Sequence, residues 1–360
     1  MRRPHLPITM GSRTATIATI ATIAGAAVLL LMLAMGDGPG ITSALAALFR
    51  GSIGSWYSIT SATLVRAIPL MLTGTAVAIA FRAGVFNIGA EGQLLAGAAS
   101  ASATALAMPA GGVMTMMAAL AAGMLGGALW AGIAALLRSR FGVLEVISTI
   151  MLNFVALHAV SWMVRGPLQE PTHAYPQTLP FDEGVRLWRI PGAGRLHVGF
   201  AIALIAVVAC GWVFRRTAAG FRVIVAGDNP DAAASAGLID VGATTTRAFL
   251  MSGAFAGLAG AIEVLGVTFA LYEDISPGYG YTAIAVALLA GLDPWKVVGS
   301  ALLFAALEAG AGAMQRDAGV PSTVVAVIEA LLILAVLGAQ ALRGHAAAAR
   351  PSLSPAPGES

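Results

Sequence analysis

Four polar residues stand where an apolar sequence would otherwise run on: Asn87, Glu91 and Gln93 in the stretch FRAGVFNIGAEGQLLAGA (81–98), and Asn153 in STIMLNFVA. A carboxylate and three amides in such surroundings can bind a polar solute. They can equally repair a broken helix by bonding its freed backbone groups. Gly84, Gly89 and Gly92 loosen helix geometry, and Asn87 competes for backbone hydrogen bonds. The spacing predicts a break near 85–88 and a helix starting near Gly89. Glu91 then falls in the first turn, where its charge meets the positive helix end. Ionisable residues inside a membrane segment mark pathways by default. Phe86, Asn87, Glu91, Gln93 and Asn153 are therefore the candidate pathway residues, with repair of the break as the competing reading.

Other polar groups have local explanations. Glu145 stands close to Arg138 and Arg140 and is read as their interfacial partner. Glu263 follows GAFAGLAGA, a small-residue face suited to close helix contact. Arg66 lies well inside an apolar run and calls for a buried acid; Glu308 and Glu329 are further acids in apolar runs. Phe81, Phe86, Phe154, Trp162 and Tyr272 are aromatics that could stack on a base, or serve only as packing. No GxxxxGK[ST] occurs and Lys296 is the only lysine, so the chain builds no P-loop ATPase by itself. No His/Cys cluster has metal spacing, and no catalytic set assembles from Ser, His and acids. The single cysteine, Cys210, makes no intrachain disulfide.

The elements that must position these residues follow from composition. The chain is 58% hydrophobic and 10% charged over 360 residues, against about a quarter charged in soluble domains. Its apolar runs reach about 20 residues, the length that crosses a bilayer core. The fold class is all-α: a polytopic integral membrane protein of about ten transmembrane helices. The spans are expected near 14–35, 58–81, 90–108, 113–137, 143–164, 198–214, 245–270, 280–295, 297–314 and 321–342. Residues 1–13 form a short N-terminus, 165–197 and 215–244 are polar connections, and 343–360 is an Ala/Pro/Ser tail expected to be disordered. The arginines flank apolar runs rather than cluster, which excludes a nucleic-acid partner and sets topology. Their bias puts both termini and the 215–244 loop in the cytoplasm and 165–197 outside. The interruptions at Gly84–Gly92 and at Pro277–Gly280 and Gly291–Pro294 suggest paired repeats about a transport path.

The loop GFRVIVAGDNPDAAASAGLIDVGATTTRAF carries a second signal. Asn229 is a good N-cap, Pro230 suits the first helical position and Asp231 complements the dipole. Alanines 232–234 and 236 favour helix, and Gly237 suits its end. The prediction is a helix of about two turns outside the membrane. With its alanine surface it is either a peg for a shallow groove on another protein or an ordinary surface helix.

These residues together resemble the permease subunits of bacterial ATP-binding-cassette importers of the simple-sugar, nucleoside and branched-chain amino-acid group. GVFNIGAEGQ (84–93) is similar to the signature of the nucleoside-type branch, and EVISTIMLNF (145–154) to that branch's following helix. AGDNPDAAASAGL (226–238) resembles the cytoplasmic segment that such permeases insert into the ATPase subunit. The resemblance runs from about Ser58 to Leu342. It implies an importer in the cell inner membrane, with two ATPase subunits, a second permease paralogue, an extracytoplasmic solute-binding protein and a small neutral polar solute, a nucleoside before a pentose. ATP and Mg belong to the ATPase partner, and no cofactor to this chain. Carried over by position, Gly227, Asn229, Pro230, Ala232, Ala233 and Gly237 belong to the coupling segment. Asp228 departs from the pattern by adding a negative charge there. The rival reading is a cation-coupled transporter acting alone, with Glu91, Glu263 or Glu308 as a proton relay.

Overall fold

A computed structural model describes residues 41–331, apart from 109, 110, 236, 238, 322, 325, 326, 328 and 329. The expected first span (14–35), most of the last (321–342), the N-terminus and the tail lie outside the described residues. The chain divides into two compact units, Leu48–Ala313 and a unit of the two ends, Met1–Ala47 with Met314–Ser360. In the latter the described segments 41–47 and 314–318 are helical.

Described residues are helical or irregular, with no strand among them beyond two isolated bridges. In chain order the helices are α1 (Ile41–Ser52), α2 (Trp56–Arg82), α3 (Ala90–Ala107), α4 (Gly112–Phe141), α5 (Glu145–Arg165), α6 (Gly199–Arg216), α7 (Ala218–Asp228), α8 (Pro230–Ser235), α9 (Val241–Thr268), α10 (Tyr279–Leu289) and α11 (Pro294–Ala318). Six of them, α2, α4, α5, α6, α9 and α11, are long and apolar enough to cross a membrane. The expected span 90–108 is the 18-residue α3, which does not meet that apolarity. The expected span 280–295 is the 11-residue α10, too short to cross at 1.5 Å per residue. A polytopic helical membrane protein is thus established, but the count of ten spans is not.

Burial sorts the bundle. The most apolar windows of α2 and α9 are 83% and 89% buried, those of α4, α5 and α6 only 33%, 28% and 28%. α2 and α9 form the centre, and the others present large side chains such as Leu129, Phe154 and Ile205 outward. The centre is closed by small residues rather than by interlocking large ones. A Cβ on Gly97 of α3 would strike the backbone of Gly257 on α9, and one on Gly127 of α4 would strike Gly253 and Gly257. In lipid there is no hydrophobic drive between helices, so close backbone approach and dispersion must hold them. The GAFAGLAGA face supplies that approach.

Both central helices end irregularly. α2 opens with a π turn at Ile59–Thr63 and carries Pro69, and α9 finishes with a π turn at Val264–Thr268 before Phe269 turns left-handed (φ 58°). Along that finish runs the long 166–198 connection. Thr178, Phe181 and Leu187 donate their amides to the carbonyls of Leu271, Phe269 and Leu265, at 2.8–2.9 Å. Arg186 and Arg189 lie over the Phe269 ring, a favourable cation–π arrangement. Arg165 at the end of α5 donates both its Nε and Nη2 to Glu273 at 2.7 Å, and Ser161 also donates to that carboxylate. The Arg165 bond, then the Ser161 bond, hold the Glu273 carboxyl down at about 2.

Candidate functional site

The chain after α2 leaves the helix at Ala83 and turns through Gly84 (φ 72°), a left-handed position that favours glycine. Residues 85–89 are non-helical. This is the break read from the sequence, and its freed groups are met by side chains. Asn87 Nδ2 donates to Gln93 Oε1 at 2.9 Å and to Ser252 Oγ at 2.8 Å, while its Oδ1 accepts from Gln93 Nε2 and from the Gly89 amide. Ser252 in turn donates to the Ala76 carbonyl of α2. Asn87, Gln93 and Ser252 are at most 1% exposed. Their polar atoms are used on one another, as burial in a low-dielectric site demands.

Asn153 on α5 closes the other side. Its Oδ1 accepts from the Gly92 amide at 2.8 Å, and its Nδ2 donates to the Ile88 carbonyl at 3.0 Å and to Tyr281 Oη at 3.4 Å. One amide thus spans the break, the first turn of α3 and the first turn of α10.

Glu91 joins the two short helices. Its Oε2 accepts from the Gly280 amide at 2.6 Å. Gly280 has no room for a side chain, since a Cβ there would strike the Glu91 and Ala90 backbone. Glu91 lies in the first turn of α3 and Gly280 in the first turn of α10. Two helix N-termini, each carrying a partial positive charge, therefore meet at one carboxylate. The second interruption seen in the sequence, Pro277–Gly280, is brought onto the first. Tyr281 and Ser252 complete the cluster but carried no sequence signal of their own beyond a hydroxyl in an apolar run, and Gly280 was legible only as the end of the Pro277–Gly280 interruption.

Of the candidate pathway residues only Phe86 faces outward, 50% exposed and packed edge-on against Phe81 with ring centroids 5.2 Å apart. Tyr281 and Phe154, next to the same junction, are 47% and 52% exposed. Asn87, Glu91, Gln93 and Asn153 are buried in this conformation.

The polar 215–244 segment contains more helix than its sequence promised. α7, capped by Thr217 through the Gly220 amide, precedes α8. α8 is capped as expected: Asn229 Oδ1 accepts from the Ala232 amide at 3.0 Å, Pro230 occupies the first position, and Gly237 turns left-handed (φ 69°) past the end. It is six residues long. Asn229, Pro230, Asp231, Ala232, Ala234 and Gly237 are exposed. Ala233 is 1% exposed and turned into the chain. Even so short a helix has an inward face, and α8 rests on α7 and α9 with that face. Gly227 is not an outward contact either. Its backbone lies against Arg82–Gly84, where a Cβ would strike the Arg82 carbonyl. The segment thus touches the start of the helix break directly. On the same side Arg82 Nε donates to the Leu292 carbonyl, and Arg215 pairs with Asp293 at 2.6 Å. Glu145 pairs with Arg138 at 3.5 Å, as read from the sequence. Glu263, near the end of α9, is buried.

A helical bundle with six helices long and apolar enough to cross a membrane, and with two interrupted segments meeting at one carboxylate, has the character of a membrane protein. Residues 59–337 match the model of the family described as branched-chain amino acid transport system / permease component, and the chain belongs to that family. It is 37% identical over 326 residues to the guanosine ABC transporter permease NupP of Bacillus subtilis, covering 88% of this chain and 91% of that one. It is 36% identical over 339 residues to a glucose ABC transporter permease of Haloferax volcanii, covering 91% and 87%. It is 34% identical over 314 residues to the nucleoside ABC transporter permease NupB of Lactococcus lactis, covering 84% and 85%. The chain is an ABC transporter permease of the nucleoside and sugar group, a transport subunit rather than an enzyme.

Proposed function

We propose that this permease forms one half of an ATP-driven importer of nucleosides in the bacterial inner membrane, with α8 on the cytoplasmic side. A paralogous permease forms the other half, ATPase subunits dock on α8 and supply ATP and Mg, and an extracytoplasmic solute-binding protein delivers the solute. The observation that carries the reading is the backbone contact of Gly227 with Arg82–Gly84. A displacement of α7 and α8 by a docked ATPase reaches the helix break with no flexible link between. From there Asn87, Gln93, Asn153 and Glu91 tie the break to α3, α5, α9 and α10, so the junction moves as a block. That is the mechanical requirement of alternating access, in which rigid parts rock about a fixed site.

The buried amides and Glu91 position the path in this conformation. Phe86, Tyr281 and Phe154 are the groups placed to meet a base by stacking. Nucleoside as substrate is supported by the names of two of the relatives; the glucose permease marks the sugar alternative. Uptake of labelled guanosine and glucose into vesicles holding the full assembly tests this. ATP-dependent guanosine uptake that outcompetes glucose is expected, and glucose uptake alone would overturn the nucleoside reading.

A further inference from the structure

A cavity of about 380 Å³ opens between α6, α7 and α9, away from the Glu91 junction. Its floor is apolar, formed by Ile79, Cys210, Met251 and Phe255 among others, and its lining includes two guanidinium groups, Arg222 of α7 and Arg247 of α9. Both arginines are exposed, and among the described residues neither has an ion pair. The nearby Arg215 differs, being taken up by Asp293. α7 itself has the character of an interfacial helix: it follows the end of a membrane span directly, and Phe221 beside Arg222 is 62% exposed. Such a helix lies at headgroup depth with its apolar residues in the acyl boundary.

A cavity lined by two cations and an apolar floor matches an amphiphile with an anionic head and a hydrocarbon tail. We propose that this cavity binds an anionic phospholipid, with Arg222 and Arg247 on the headgroup phosphate and an acyl chain against Cys210, Met251 and Phe255. A packed protein helix would leave both guanidinium groups needing acids on an apolar surface, where charge is costly. A lipid phosphate satisfies them without that cost, and basic pockets between spans bind anionic headgroups in this way. Because α7 carries α8 and touches Gly84 through Gly227, the lipid would brace the same segment that the proposed ATPase contact moves. The binding claim itself does not depend on that contact or on the solute.

Cys210, the only cysteine of the chain, lines the cavity and serves as the probe. The full chain is placed in nanodiscs of phosphatidylcholine, with or without phosphatidylglycerol, and Cys210 labelling by a lipid-soluble maleimide is timed. Native mass spectrometry of the same protein reads retained phospholipid. Phosphatidylglycerol is expected to slow labelling roughly tenfold, and inorganic phosphate to leave it unchanged. In the Arg222→Gln/Arg247→Gln variant the slowing and the retained anionic lipid should both vanish, with the phosphatidylcholine rate unaltered. Equal rates in the two lipids for the wild type, or slowing by phosphate alone, would overturn the proposal. So would protection of Cys210 in both lipids once a partner subunit is added, since the cavity would then be a protein interface. If the double variant fails to fold, the wild-type lipid comparison still decides.

Discussion

At the residue scale, the candidate site is a set of hydrogen bonds that hold broken helices together. At Gly280 the Glu91 backbone occupies the space a Cβ would need. Gly280→Ala should lower the stability of the purified chain by about 1–3 kcal/mol, read as a reduced thermal midpoint; an unchanged midpoint would contradict the packing. His197 offers a second test. It is wholly buried, its Nδ1 accepts from the Gly199 amide, and its Nε2 has no partner among the described residues. Burial, then the charges of Arg189 and Arg195, push its pKa from 6.5 down to about 4. The folded chain therefore resists a proton that the unfolded chain accepts. Stability is full above the unfolded value of 6.5 and falls as pH drops toward about 4, by at most about 3 kcal/mol. Below that it levels off, since both states are protonated. His197→Gln should flatten this pH dependence of the thermal midpoint, and parallel curves would contradict the assignment.

At the element scale, α8 separates a surface role from a packing role within two residues. Ala232 is exposed and Ala233 is buried. Ala232→Arg should leave stability within about 0.5 kcal/mol while abolishing ATP-driven uptake. Ala233→Arg should destabilise the segment by about 3 kcal/mol, because it buries an unpaired charge. Uptake retained in folded Ala232→Arg would contradict the docking role of the helix. What the sequence made legible here was local. Asn229, Pro230 and Gly237 act within a few residues of themselves, and so does the Arg138–Glu145 pair, so pattern alone placed them. The break at 85–89 was legible for the same reason. The Glu91–Gly280 bond spans 189 positions, and no local pattern encodes it. α7 was missed because its residues read as a polar connection, and the inward turn of Ala233 because alanine suits either face. The 11-residue α10 was read as a span because its apolar run continues, past the turn at Gly291–Asp293, into α11.

At the scale of the whole molecule, the Leu48–Ala313 unit is organised by two buried helices and a seam of glycines between α3, α4 and α9. Gly257→Val should cost more than about 2 kcal/mol and lower the yield of folded chain, measured by monodispersity and thermal midpoint in detergent. A variant as stable as the wild type would show that the seam is slack. On the proposed function the chain is a gate moved from outside, with the backbone of Gly227 set against Arg82–Gly84 and the Glu91 junction following in the chain. The most direct measurement of that claim is nucleoside accumulation in proteoliposomes, comparing the chain with its ATPase, paralogue and binding protein against the chain alone under a proton gradient. Accumulation is expected only in the full assembly with ATP, and accumulation by the lone chain against a concentration gradient would contradict it.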